Sequence, residues 1–388
     1  MDLRQALLRI AAGRPHVLIV GAVGTDRLRA RVEQELGRRG WPVAIAPAEA
    51  DVLVVVGSPG TELGSVIDDL WVGVPAPRAR ARIASDDDVV SALDRAVGVL
   101  GDLAGQRARA PGDAVTAEHS DTTPAGQEDE TGSHAGHGGN AGSDPGEVDT
   151  GHGGHGEHGE HGEHGEHGGG HHHHGGGMDL PGGLAMADLG DDRDGLALDR
   201  LHVALGPVLP EWPSGLVVDV TLQGDVIQEA SSRFLDVDGQ VADDVPAAAR
   251  ALTSTARVLA LAGWAGPAAR ARDLRDAVLF GEGEDPAHVL GELDALRRRI
   301  RRSRLLRWML GSSGAGRSEV LDSLDDKLLS ARTAISGSVA EPVGAVDLHA
   351  LDTRLIGAEF AAARLIVATA DPHPQPALTS PADREGAS

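Results

Sequence analysis

Residues 134–174 divide this chain, because nothing in them can build a hydrophobic core. His155, His158, His161, His164 and His167 recur at a spacing of three with Gly-Glu between them, and His171, His172, His173 and His174 follow. Twelve of the eighteen histidines lie in this window, with Glu157, Glu160, Glu163 and Glu166; the remainder is mostly glycine. Glycine at that density favours a solvated tether over a packed element. The surrounding stretch from Gln106 to Asp149 is rich in Pro, Gly, Ser, Thr, Asp and Glu, the composition of a disordered segment. Any fold must therefore be built from what lies on either side. At about 100–200 residues per domain, 388 residues give two domains and a linker. The expected boundaries are an α/β domain at 1–105, a disordered acidic, His-rich linker at 106–198, an α+β domain at 199–375 and a disordered tail at 376–388.

The tract also supplies chemistry. Neutral imidazole is a ligand for Ni, Zn and Cu, and carboxylates can complete the shell. The expected ligands are His152, His155, His158, His161, His164, His167, His171, His172, His173 and His174. A spacing of three along a flexible chain sets no fixed geometry, and the Irving–Williams order places Cu(II) ahead of Ni and Zn. Because the ligand is the neutral ring, affinity should fall as pH drops through about 6.5. The bland counterpart is a solubilising spacer whose histidines bind nothing. An expression tag fits poorly, since the four-histidine run is internal and follows His-Gly-Glu repeats.

The formal charge of -24 is concentrated between about Asp102 and Asp199, which argues against nucleic acid as a partner. The absence of cysteine excludes disulfides, thiolate zinc sites, a cysteine nucleophile and cysteine-held iron–sulfur clusters. Met1–Ile10 reads as a short amphipathic helix with no apolar leader region after it. The longest apolar runs are only strand-length, so the expected location is cytoplasmic, with the inner face of the membrane as a peripheral option.

In the first half, His16–Gly24 is a strand ending in glycines, with helical periodicity over Arg27–Arg39. Val43–Ala46 is a short strand, Asp51–Gly57 a strand hydrophobic on both faces, Thr61–Leu70 a helix, and Arg80–Ala84 an edge strand. Ser85 before Asp86, Asp87 and Asp88 is a helix start, with the helix running to about Leu103. The sum is a small doubly wound α/β domain. Gly21-Ala-Val-Gly24 lacks the third glycine of a dinucleotide fingerprint and the Lys-Ser/Thr of a P-loop, so its glycines read as turn residues.

The stretch Ala50–Leu70, with Pro75-Ala-Pro77 and Arg80–Ser85 after it, resembles the small, cluster-bearing subunit of respiratory complex I and NiFe-hydrogenases over roughly residues 15–100. That resemblance implies a flavodoxin-like fold. The family's cysteines belong near Ala22–Val23 and near Ala84, where this chain has none, so no iron–sulfur cluster is implied.

After the linker, Met178-Asp-Leu repeats the chain's start, compatible with two fused reading frames. Asp188–Asp194 reads as a solvated acidic approach, with oxygen ligation of a hard cation as the alternative. Asp199–Leu205 and Gly215–Ala230 are strand-like, the second with a hairpin turn at Gln223-Gly-Asp225. Helical periodicity then runs over Val245–Ala262, Pro267–Phe280, Pro286–Leu310, Ser318–Ile335 and Asp347–Ala370, with Pro267 and Pro286 in first-turn positions. Gly206-Pro-Val-Leu-Pro210 and Ser214–Ile227 resemble the opening of the large, hydrogenase-like subunit of complex I, and Leu355–Pro372 is a fainter echo of its C-terminal segment. Leu209 stands where that family has a quinone-site histidine, Pro213 lies near the second, and tyrosine is absent. The paired resemblance implies a fused, cluster-less, structural or regulatory relative of the two subunits. It requires no cofactor, and its implied partners are antiporter-like or complex I-like membrane subunits. Whether the chain is an enzyme stays open, with no nucleophile–base pair in view. The alternative is a Ni, Zn or Cu store, sensor or chaperone acting through the tract.

Arg297–Leu310 is strongly basic with apolar positions between. It fits a solvated helix face, a docking face for an acidic partner, a membrane-surface helix, or a partner for the chain's own acidic linker.

Overall fold

A computed structural model describes residues 13–108, 188–191, 197–237, 245–281, 283, 285–311, 315–337 and 346–374. The expected helix at Met1–Ile10, the ten metal-ligand histidines and the tail at 376–388 lie outside the described residues. The chain divides into two units: Met1–Ala110 with Ala187–Ser388, and Pro111–Met186. The α/β and α+β halves thus belong to one unit, and the second unit lies outside the described residues.

In the α/β half, β1 (Val17–Gly21), β2 (Val52–Val56) and β3 (Ala79–Ile83) form a parallel sheet in that order, with Val17 opposite Val52 and Val52 opposite Ala79. All five residues of β2 are buried, as an unbroken β-branched and leucine run requires when both sheet faces are covered. Helices α1 (Asp26–Arg39) and α3 (Asp88–Gly101) pack one face through Val32, Leu36, Val89 and Leu93. Helix α2 (Thr61–Gly73) packs the other through Leu63 and Ile67. The expected strand at Val43–Ala46 shrinks to a single parallel bridge, Val43 to Val17. Pro42 and Pro47 bracket it, and Pro47 opens a 3₁₀ turn, so the ladder has no donor with which to continue. The bridge uses the Val17 N–H and C=O, while the His16 carbonyl accepts from Val52, so Val43 lies on the far side of β1 from β2. The chain steps outward from β1 and then back across it, which is why helices cover both faces.

Two helix ends differ from expectation. Asp87 rather than Ser85 precedes α3, and the Ser85 hydroxyl donates to the Asp88 carboxylate at 2.9 Å. Helix α3 stops at Gly101, and a short α4 (Leu103–Ala108) follows.

In the second half, β4 (Asp188–Asp191), β5 (Ala197–Leu205), β6 (Leu216–Gln223) and β7 (Val226–Phe234) form an antiparallel sheet in sequence order. The acidic approach therefore contributes an edge strand. The β6–β7 hairpin turns at Gly224, whose φ of 63° favours glycine. Among the described residues seven helices follow: α5 (Ala247–Leu261), α6 (Ala265–Phe280), α7 (Pro286–Arg302), α8 (Arg304–Gly311), α9 (Arg317–Ile335), α10 (Leu348–Leu355) and α11 (Phe360–Ala370). Two expected helices are split. Ser303 ends α7 in an extended conformation and its hydroxyl accepts from Leu306 N–H at 3.0 Å, starting α8. Gly357, at φ 82°, ends α10, and the residues around it bond to the sheet instead, with Gly357 N–H donating to the Ile227 carbonyl at 2.7 Å.

Strand β6 joins the halves. Leu216, Val218 and Val220 enter the helical core, while Val217 on its other face shares a cluster with Leu53, Ile67 and Leu235. Among the described residues, no helix is long and apolar enough to cross a membrane.

Candidate functional site

In an open parallel α/β sheet, ligands bind beyond the carboxyl ends of the strands, where the direction of winding reverses. Here that place lies between the β1–α1 loop and the β2–α2 loop, and both loops are packed shut. Gly57 has φ 84°, and a Cβ on it would stand 2.4 Å from Thr25 Cγ2, so only glycine fits. Thr25 Oγ1 in turn donates to the Ala22 carbonyl at 2.7 Å.

The second half fills what remains. A Cβ on Gly215, at φ 72°, would meet Val23 Cγ2 at 2.3 Å, and one on Gly21 would meet Ser214 Oγ at 3.0 Å. The N-terminus of α2, a natural seat for an anion, holds the Asp236 carboxylate, which accepts from Leu63 N–H at 2.9 Å and Glu62 N–H at 3.2 Å. Glu62 returns the contact, accepting from Asp236 N–H at 3.3 Å and from Arg233 at 3.0 Å. This is the logic of a capping box assembled from segments more than 170 residues apart. Gly60, just before α2, has no side chain to cap with, and a Cβ there would overlap Asp236. Among the described residues, the crevice is occupied by the protein's own groups.

Beside it lies a cavity of about 370 Å³, walled by Leu18, Trp41, Val208 and Leu209 and floored by charges from α1, α5 and α6. Arg29, Arg257, Arg272 and Arg275 face Asp26, Glu33 and Glu211 there, one positive charge in excess. Glu33 accepts from Arg275 at 2.7 Å and Arg29 at 3.1 Å, Arg272 pairs with Glu211, and Arg275 also reaches Asp276 at 2.8 Å. Burial pushes the Glu33 carboxyl up, but the neighbouring charges of Arg275 and Arg29 and the Arg275 hydrogen bond outweigh it, holding the pKa at about 2. Asp276 goes the other way: its burial exceeds the pull of Arg275 and raises it. Glu33 is a permanent anion near neutral pH and cannot serve there as a general acid or base. The arrangement can orient a small ligand and tie α1 to α6.

Two polar clusters escaped sequence reasoning. Thr221 Oγ1 donates to Glu229 at 3.1 Å and lies 3.1 Å from His202 Nδ1 across three strands. With the hydroxyl in the middle rather than the imidazole, this is not the order of a nucleophile–base–acid relay. Lys327, the chain's only lysine, donates to the Thr369 carbonyl at 2.9 Å and lines a cavity of about 720 Å³ with Arg250, Asp322 and His373. Burial lowers its pKa against the opposing pull of Asp371 and Asp326. Its rarity in an arginine-rich chain was the one available signal.

Among the described residues, no group of three or more His, Asp or Glu side chains could hold a metal ion. No protein-family model, curated protein or solved structure matches this chain.

Proposed function

We propose that this chain is a non-catalytic structural or regulatory subunit, a fused relative of the small and large subunits of complex I or membrane-bound NiFe-hydrogenase, which associates with a membrane ion-translocating complex. The observation that carries the reading is the filled crevice. Ala22 and Val23 stand where the resembled small subunit has its cysteines, and Gly215 closes over Val23 with no space for a side chain. The order of the Val43 segment, β1, β2 and β3 supports a flavodoxin-like first half. The loop containing Leu209, in place of the family's quinone-site histidine, lines the cavity between the halves. In this reading the junction keeps its packing role without the redox centre.

Affinity purification of the chain from native membranes, with identification of what accompanies it, is the test. Antiporter-like or complex I-like subunits are expected in stoichiometric amount; recovery of the chain alone contradicts the reading.

A second reading rests on the tract, with twelve of eighteen histidines within residues 134–174: a Ni, Zn or Cu store, sensor or chaperone. Deleting 134–174 separates the two. Lost metal binding with unchanged assembly supports the scaffold, whereas lost assembly would show the tract to be more than a spacer.

A further inference from the structure

The most basic stretch of the sequence also carries two exposed large apolar side chains, Leu305 and Trp308. Between Leu296 and Gly311 the chain has seven arginines and no acidic residue. Arg297 is taken up by a two-point pair with Asp325, at 2.7 and 2.8 Å, and Arg299 lies over the Trp264 ring. The nearby Asp294 is itself paired with Arg332. Arg298, Arg302, Arg304 and Arg307 make no ion pair among the described residues, and all four are exposed.

Helix α8 sets two of these charges, Arg304 and Arg307, beside apolar groups. Leu306 and Leu310, four positions apart, are buried and fix the helix to the core. At 100° per residue the opposite side carries Arg304, Leu305 and Trp308, with Arg307 on the flank. Trp308 is 75% exposed and Leu305 55%, so the two apolar side chains stand outward among guanidinium groups.

We propose that this face, the end of α7 together with α8, docks on an anionic lipid surface. Guanidinium forks pair with lipid phosphates, and the indole and leucine enter the headgroup–acyl boundary, where an amphipathic ring is favoured. A bilayer accepts protruding side chains anywhere on its surface, whereas a protein partner would have to present a pocket shaped to Trp308. The patch is local: it attracts an anionic surface although the whole chain carries -24. The inference goes beyond the scaffold reading, because it invokes lipid alone and no membrane subunit.

The test is co-sedimentation of the full chain, with a chelator present, on vesicles of phosphatidylglycerol and phosphatidylcholine or of phosphatidylcholine alone. Since the vesicles contain no protein, the result is independent of whether a membrane subunit is found. Binding to the anionic vesicles only is expected, with a blue shift of tryptophan emission. Trp308→Ser should abolish the shift. The triple change Arg302→Glu, Arg304→Glu, Arg307→Glu should weaken binding at least about tenfold at moderate salt. These positions are exposed, so circular dichroism should match the parent. Absence of binding to anionic vesicles overturns the proposal. So does vesicle binding that neither variant changes. Polyglutamate binding lost in the triple variant, with vesicle binding insensitive to Trp308→Ser, also overturns it and assigns the face to an acidic protein.

Discussion

Burial raises the Glu33 carboxyl, and Arg275, with Arg29 beside it, more than offsets that and keeps it ionised. The Glu33–Arg275 pair sits between α1 and α6 with the Arg275 side chain 5% exposed, so removing Glu33 leaves a buried guanidinium with Asp276 as its remaining carboxylate partner. Glu33→Gln is expected to destabilise the protein by about 2 kcal/mol, the loss of a charged hydrogen bond, read as a lower urea midpoint at pH 7. The Glu33 pKa is about 2 in the fold against an ordinary 4.5. Its contribution is therefore fully present above about pH 4.5 and is lost as pH falls toward 2. The Gln variant should show a shallower loss of stability over that window. Asp236 is the second residue on which the junction turns. Asp236→Ala should cost about 1–2 kcal/mol, and Asp236→Asn should recover part of it, because an amide oxygen still accepts one α2 N–H. Neither contact was legible in the sequence. Glu33 and Arg275 are 242 positions apart, and each reads alone as a solvated helix charge.

At the scale of elements, legibility followed local signals. Val52–Val56 announces a central strand because five consecutive apolar residues leave no polar face, and the Gln223-Gly-Asp225 turn marks its hairpin because Gly224 needs a positive φ. The breaks inside helices were hidden for the same reason. Ser303 sits in a helical apolar period that runs on through Leu306 and Leu310, and only its capping bond reveals the division. Gly357 is one glycine within a long helical pattern, and what fixes the break is bonding to β7, a non-local fact. Ser303→Ala should cost about 1 kcal/mol and raise amide hydrogen exchange in α8 more than in α7. Because α8 carries Trp308, that variant should also weaken anionic-vesicle binding with its charges unchanged.

For the whole molecule, the sequence shows a chain cut by its histidine tract, while the structure joins the two flanks as one unit. Composition exposes the tract but carries no sign of the junction, which is built from small residues and paired charges distributed over both halves. Deleting 134–174 is expected to leave the unfolding free energy within about 0.5 kcal/mol of the parent, read by urea titration, since glycine, histidine and acidic residues dominate those positions. The same deletion should abolish tight Ni and Cu binding in calorimetric titrations. In the parent, that binding should weaken as pH drops through about 6.5.

The scaffold reading depends on the flanks holding together without the tract. A site-specific protease sequence placed between residues 134 and 150, cut in the purified protein and followed by size-exclusion chromatography, measures that directly. The account predicts that the two fragments co-elute as a one-to-one complex, and that Glu33→Arg combined with Asp236→Ala separates them. Fragments of the unmodified junction that elute apart as folded species would contradict it.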